Sequence, residues 1–245
     1  MKHTRKLLCA LLAAALLILS VAPAYAVSVD TKAATIYMGS KDGSEWAYSS
    51  IEINDLTASS KITDVKTSNK AILRLGSLNT WDSTYSSLGD DDEYSGADYS
   101  ASIGVYGVKK GKATISFKVD GKSYSKTFTV VDFANPIKTL TLTGISSANL
   151  KSKFAKTSYL SEKLKANAKA GYLNVAAASG WKIISAEWTD QGSDYNARYF
   201  HSSKGVASMK IPVPAMKKNG NYYIWATFVN TKTKATMSIN YHLGK

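Results

Sequence analysis

The chain has 245 residues, of which 31 are Lys or Arg and 18 are Asp or Glu, a formal net charge of +13. Its single cysteine, Cys9, lies in the first apolar run. The rest therefore holds no disulfide and no cysteine-ligated metal, and must be held together by buried apolar surface.

Residues 1–26, MKHTRKLLCALLAAALLILSVAPAYA, have the three parts of a secretory signal. Lys2, Arg5 and Lys6 precede an uncharged run, and Ala24-Tyr25-Ala26 supplies the small residues of a cleavage site. Cleavage there leaves 27–245 as a mature chain of 219 residues, enough for two domains of about 100 each. Cys9 precedes most of the run rather than following it, which argues against lipidation. No transmembrane segment is expected in the mature chain, and the expected location is extracellular or cell-surface associated.

Charge divides unevenly along the mature chain. Residues 27–133 hold 12 basic and 14 acidic residues, whereas 134–245 hold 16 basic and 4 acidic. Such a split points to two units with different partners. After export, a basic domain meets anionic wall polymers, glycans or protein partners rather than nucleic acid. A lysine surface that only confers solubility is the plain alternative.

The first unit reads as β throughout. Ile51-Glu52-Ile53 and residues 71–75 have strand character. In residues 113–119, ATISFKV, apolar and polar residues alternate. Asp120-Gly121 then supplies a two-residue hairpin turn whose central positions both need positive φ. Pairing across that turn sets Phe117 opposite Tyr124, Ala113 opposite Phe128 and Lys126 opposite Ile115. The lysine breaks the apolar face, so the hairpin is expected to reach the rim of its sheet there. Between two such strands lies an insertion, 77–102, with six acids and no base. Its candidate binding residues are Trp81, Tyr85, Tyr94, Tyr99, Asp90, Asp91 and Asp92. Aromatic faces among Ser, Gly and Asp suit a recognition loop. A solvated hairpin extension and a calcium site built on Asp90 and Asp92 are the other readings, the latter lacking a regular ligand spacing. The acidic loop could also dock on the basic unit of another copy and build an array.

ITDVKTSNKAILRL (62–75) followed by GVKKGKATISFKVDGKSYSKTFTV (107–130) resembles a group 2 bacterial immunoglobulin-like domain over residues 30–133. The matching elements are Ser68-Asn69, Lys109-Lys110-Gly111, Ala113-Thr114-Ile115 and Gly121. Val65 stands near the place where that family commonly has Trp. The resemblance implies a β-sandwich of the kind found in adhesins and wall-associated proteins, with no catalytic residues to carry over.

Asn135-Pro136 breaks the last strand of this unit and marks a boundary near 133/134. Residues 134–245 are again strand-like. Leu140 and Leu142 alternate with threonines, and Met209, Ile211 and Val213 alternate with Lys210 and Pro212, the proline confining that strand to an edge. Met237, Ile239, Tyr241 and Leu243 alternate likewise. NYYIWATFVN (221–230) and the last strand form a closing hairpin. Tyr223 and Trp225 share one face of that strand, and Tyr222, Ile224 and Phe228 the other. Either the strand is buried on both sides or one aromatic face is free to stack on sugar rings. Residues 158–170 read as a short helix or a crossing loop. The expected fold is all-β, two tandem immunoglobulin-like sandwiches after the signal peptide, the second of immunoglobulin or fibronectin type.

Catalytic patterns are absent from the sequence. No zinc-ligand spacing, nucleophile elbow or phosphate loop is present, and GKATIS lacks the spacing of the last. Glu187, Asp190 and Asp194 around Trp188 are the nearest approach to a carboxylate pair. The plain reading makes Trp188 a core residue with acids in a following turn. The expectation is therefore a non-enzymatic surface or wall-associated protein without cofactor or metal, or a carbohydrate-binding module that uses aromatic platforms.

Overall fold

The computed structural model describes residues 26–45, 47–84, 97–146, 148–192 and 196–244. The signal-peptide reading thus lies outside the described residues, apart from Ala26. The described strands are β1 (Ser28–Val29), β2 (Ala34–Tyr37), β3 (Ala47–Leu56), β4 (Ile62–Thr67), β5 (Leu73–Thr84), β6 (Ala97–Gly107), β7 (Gly111–Val119) and β8 (Lys122–Val131). They continue with β9 (Ile137–Leu142), β10 (Tyr159–Lys163), β11 (Gly171–Ala177), β12 (Trp181–Asp190), β13 (Asn196–Val206), β14 (Ser208–Val213), β15 (Tyr222–Asn230) and β16 (Thr236–Gly244). A single 3₁₀ turn, Leu150–Ser152, is the helical element described.

Asp120 and Gly121 take φ of 50° and 81°, the left-handed pair that a two-residue hairpin turn demands. That turn fixes the register of β7 and β8, and Phe117 faces Tyr124, Ala113 faces Phe128 and Ile115 faces Lys126. One four-stranded sheet has the order β2-β8-β7-β4 and the other β1-β3-β6-β5. In immunoglobulin lettering these are A′-G-F-C and A-B-E-D, with the first strand split between the sheets so that β2 runs parallel to β8. Ile51, Ile53, Ile103 and Val105 from one sheet pack on Ile115, Phe117, Phe128 and Val130 from the other. The all-β, immunoglobulin-like fold read from the sequence is what the structure has.

Lys126 departs from the expectation of a rim position. It is only 5% exposed, pointing inward in line with Phe128 and Val130. Its Nζ lies 5.5 Å from the Phe128 ring centre and donates to Asp30 Oδ2 at 3.0 Å. Asp30 sits in the connection between β1 and β2, where the chain changes sheets. The buried ammonium is therefore neutralised by the strand-switch itself, and its hydrogen bond holds the Asp30 carboxyl below the usual carboxylate range.

The second set of sheets has the orders β14-β11-β9 and β10-β16-β15-β12-β13. The same lettering gives E-B-A against A′-G-F-C-C′. Leu140, Leu173, Val175, Ile211 and Val213 of the smaller sheet meet Ile183, Trp188, Ile224, Phe228, Ile239 and Tyr241 of the larger. Pro212 stands on an edge strand, as its missing N–H requires. The reading of 158–170 as helix or crossing loop is corrected. Residues 159–163 form β10, an edge strand parallel to β16. Its outward-inward alternation is brief, with Leu160 alone packed against the core as an apolar anchor.

The two sandwiches touch around the end of β2. The Tyr37 and Trp181 rings lie 5.0 Å apart, and Ser40 pairs with Thr157 as an antiparallel bridge. Lys41 N–H donates to Lys156 O and Ser158 N–H to Gly39 O, both at 2.8 Å.

The Lys126–Asp30 pair yields a stability prediction. Asp30→Ala leaves a buried ammonium without its acceptor and should cost about 1–3 kcal/mol. Adding Lys126→Met to that variant should recover most of the loss, because an apolar side chain suits the site. Denaturant midpoints of the single and double variants measure both effects.

Candidate functional site

The acidic insertion begins and ends as paired strand. β5 and β6 continue their antiparallel pairing out to Thr84↔Ala97, so both ends of 77–102 belong to a long ribbon. Trp81 pairs with Ser100, and Tyr99 pairs with Asp82. Directly opposed residues share a face and neighbours alternate, so Trp81 and Tyr99 lie on opposite faces of the ribbon. Trp81 is exposed and Tyr99 half-buried. The structure does not bring these two together. Tyr85, Asp90, Asp91, Asp92 and Tyr94 lie outside the described residues, and the calcium reading with them.

The enzyme-like cluster is also dispersed. Trp188 is buried in the core with its ring stacked on Tyr222 at 5.9 Å. Glu187 and Asp190, an odd number of residues apart on β12, project to opposite sides of the strand. Asp190 accepts from Gly192 N–H at 2.9 Å, closing the turn after β12. Asp194 is outside the described residues.

A cleft of about 640 Å³ opens between the end of β9 and β10, walled by Leu142, Ile145, Leu150 and Leu164. Three of its polar side chains, Lys153, Glu162 and Tyr241, bond to one another. Glu162 accepts from Lys153 Nζ at 2.7 Å and from Tyr241 OH at 2.7 Å. Burial raises the Glu162 pKa, but the bonds from Lys153 and Tyr241 outweigh it and the carboxyl ends below its usual range. The same burial and the facing carboxylate push the Tyr241 hydroxyl well up.

The outer face of the five-stranded sheet is different. β15 is central but buried on one side only. Tyr222, Ile224, Ala226 and Phe228 face the core, while Trp225 is 43% exposed. The register across the sheet then sets one row at right angles to the strands. Tyr159 of β10 pairs with Asn240 of β16, Asn240 with Trp225 of β15, Trp225 with Glu187 of β12, and Glu187 with Tyr199 of β13. Tyr159 is 41% exposed and Tyr199 64%. Rings and hydrogen-bonding groups thus alternate strand by strand. In the next row His242 stacks on Tyr223 at 4.3 Å, and its ring nitrogens meet Ser161 Oγ at 3.0 Å and Asn221 Oδ1 at 2.7 Å. Tyr223 also meets Trp225 edge-on at 6.3 Å. These contacts brace the Trp225 indole from one side.

Two polar groups in the row stand out. Burial lifts the Glu187 carboxyl above the usual carboxylate range, against the opposing pull of a hydrogen bond from Tyr199. Asn240 Oδ1 is shielded from solvent and accepts no hydrogen bond. An unpaired buried acceptor costs about 1–3 kcal/mol, so a turn of this amide that brought Oδ1 to a donor would be favoured.

Tyr159 is held in place from the other sandwich. Its N–H donates to Glu45 Oε2 at 3.2 Å, and Ser158 Oγ donates to the same oxygen at 3.2 Å. Glu45 ends a tight turn organised by Asp42, which accepts from Ser44 Oγ at 2.7 Å, Ser44 N–H at 3.0 Å and Ser40 Oγ at 2.7 Å. Those bonds, the Ser44 hydroxyl's foremost, depress the Asp42 carboxyl to about 2. Sequence reasoning singled out Trp225 and Tyr223 but missed Tyr159 and Tyr199. Tyr159 sat in a segment read as helix or loop. Tyr199 would have shown only through the alternation Ala197, Tyr199, His201 along β13.

No family model matches the chain, and no curated protein does. Among solved structures it is similar to domains 4 and 5 of the S-layer protein SbsC, at 14% identity and a TM-score of 0.27, covering 43% of this chain and 50% of that one. Domains 5–6 of SbsC match at 12% identity and 0.31, covering 89% and 97%. The adhesin InvE of Yersinia pseudotuberculosis matches at 13% identity and 0.25, covering 91% and 61%. The chain thus spans half the length of the first of these structures. Among the described residues no helix is long and apolar enough to cross a membrane.

The raised Glu187 pKa has a definite sign in stability. A carboxyl that holds its proton more tightly when folded stabilises the fold in acid, and that contribution is lost as pH rises through the unfolded and then the folded pKa. Glu187→Gln removes the penalty of an ionised group. It should raise the melting temperature at pH 7 and do so less at about pH 3.5, where the parent carboxyl is already protonated. Paired thermal melts at the two pH values check the difference.

Proposed function

We propose that this chain is a secreted, non-enzymatic surface or wall-associated protein that binds glycan through the outer face of its five-stranded sheet. The single observation that carries the reading is the row Tyr159, Asn240, Trp225, Glu187, Tyr199. Three exposed rings alternate in it with side chains that can hydrogen-bond. Aromatic faces offer flat apolar area to the C–H faces of pyranose rings, and the intervening amide and carboxylate meet their hydroxyls. One isolated carboxylate between rings favours holding a sugar over cleaving one, since hydrolysis takes two carboxyl groups across a glycosidic bond. The immunoglobulin-like scaffold does not itself select this reading, which rests on the site.

The rival within the same class is electrostatic adhesion of the basic residues 134–245 to anionic wall polymer. The two modes answer differently to salt. Screening shortens to about 3 Å at 1 M salt, which abolishes adhesion through exposed lysines and leaves ring stacking intact. Retention of the purified protein on cell walls and on glycan beads across a salt series is the test. Retention should persist at high salt and fall by about tenfold or more in Trp225→Ala. Loss of the parent protein at high salt would give the surface role to the lysines instead.

A further inference from the structure

The aromatic row has a spacing, and the spacing selects a ligand. Neighbouring strands lie about 4.8 Å apart, so Tyr159, Trp225 and Tyr199, each two strands from the next, stand about 10 Å apart along the row. That is also the length of the two-sugar repeat in an extended β-1,4-linked hexose chain. Successive sugars in such a chain are turned over relative to one another, so every second ring presents the same face to a surface beneath it. The row repeats with the same alternation. β10, β15 and β13 each supply a ring, while β16 and β12 between them supply Asn240 and Glu187. An α-1,4-linked chain coils and keeps no such straight repeat.

The sheet also twists. Adjacent strands turn by about 20–25°, so the three rings rotate progressively along the row and do not share one plane. A single chain can follow that rotation, whereas the flat face of a crystalline polymer meets the rings one at a time. The unpaired Asn240 Oδ1 lies between Tyr159 and Trp225 in the row. A hydroxyl of the sugar bridging those two rings would supply the donor it lacks, after a small turn of the amide. Glu187, between Trp225 and Tyr199, is the corresponding acceptor for the sugar bridging the other pair.

Resting on the glycan reading above, we propose that the row is a binding site for a single, extended β-1,4-linked hexose chain running across the strands. It has one sugar over each of the five strands and rings stacked on Tyr159, Trp225 and Tyr199. Glu45, which fixes the Tyr159 backbone from the first sandwich, positions the end of the site without touching the sugar.

Titration of the mature chain with soluble β-1,4-linked oligosaccharides of two to seven glucose or N-acetylglucosamine units tests the site. Affinity should climb with length and level off at about five units, one for each strand crossed. Trp225→Ala should weaken binding by roughly tenfold or more. Tyr159→Ala and Tyr199→Ala should each bring the plateau down to about three units, because the remaining pair of rings spans two strand spacings. Thermal melts of each variant confirm folding, and Trp225→Tyr keeps a stacking face should the alanine variant fail to fold. A plateau that does not move in the end-ring variants overturns the proposed path. Equal binding of α-1,4-linked oligomers overturns the linkage assignment while leaving a glycan-binding surface. Stronger retention on crystalline polymer than on soluble chains overturns the single-chain geometry. Absence of binding to any glycan, soluble or wall-bound, overturns the proposed function itself.

Discussion

Ile224 of β15 and Trp188 of β12 stand side by side on the inner face of their sheet, in the core of the second sandwich, and the outer surface of the sheet is set by that pairing. Strand alternation has a period of two. Once Ile224, Ala226 and Phe228 are fixed inward, Trp225 has only the outer face left. The same holds for Trp188 and Glu187 on β12, for Tyr241 and Asn240 on β16, and for Leu160 and Tyr159 on β10. A one-residue slip in any of these strands would bury a polar group and break the row together. Core packing and the surface array are therefore one constraint seen from two sides.

That constraint is weakest where the row ends. β10 is a short edge strand with a single apolar anchor, Leu160, so its register cannot come from burial alone. Side-chain bonds between Glu162 and Tyr241 and between Ser161 and His242 hold part of it, and the first sandwich adds to them. Glu45 takes the Tyr159 N–H, Gly39 O takes the Ser158 N–H, and Ser158 O in turn accepts from Asn240 N–H of β16. The Tyr37–Trp181 contact and the Ser40–Thr157 bridge hold the two sandwiches against each other at the same place. The first sandwich acts here as a brace for the edge of the second.

Periodicity made most of this legible. The alternations of β7, β9, β14 and β16 were plain in the sequence, as was the Asp120-Gly121 turn, because inward residues there are apolar and outward ones polar. Legibility failed where that rule is broken for a reason of tertiary structure. Lys126 looked like a rim residue because nothing local shows that Asp30, 96 positions away, neutralises it. β10 read as a short helix or a crossing loop because its one anchored residue carries no period. β15 was ambiguous because both of its faces are aromatic or aliphatic. Among the described residues a sheet covers one face of β15 and none covers the other, a tertiary fact that the strand's own sequence does not carry. The acidic insertion drew attention by composition, yet Trp81 and Tyr99 fall on opposite faces of a ribbon, a relation that composition does not encode.

The alternation of rings with an amide and a carboxylate also bears on why this face remains a surface rather than an interface core. A sheet face covered by another protein tends to be apolar and to lose its charged groups at the centre. Here Glu187 stands next to the central Trp225, its ionised form already penalised by partial burial, and complete burial by an apolar partner would raise that cost further. Water, or a ligand dense in hydroxyl groups, is the environment that suits the carboxylate and the three exposed rings at once. Sugar chains are amphipathic in that sense, with C–H faces above and below the ring and hydroxyls around its edge. On the proposed reading, the row presents the complementary pattern at the interval that the strand spacing dictates.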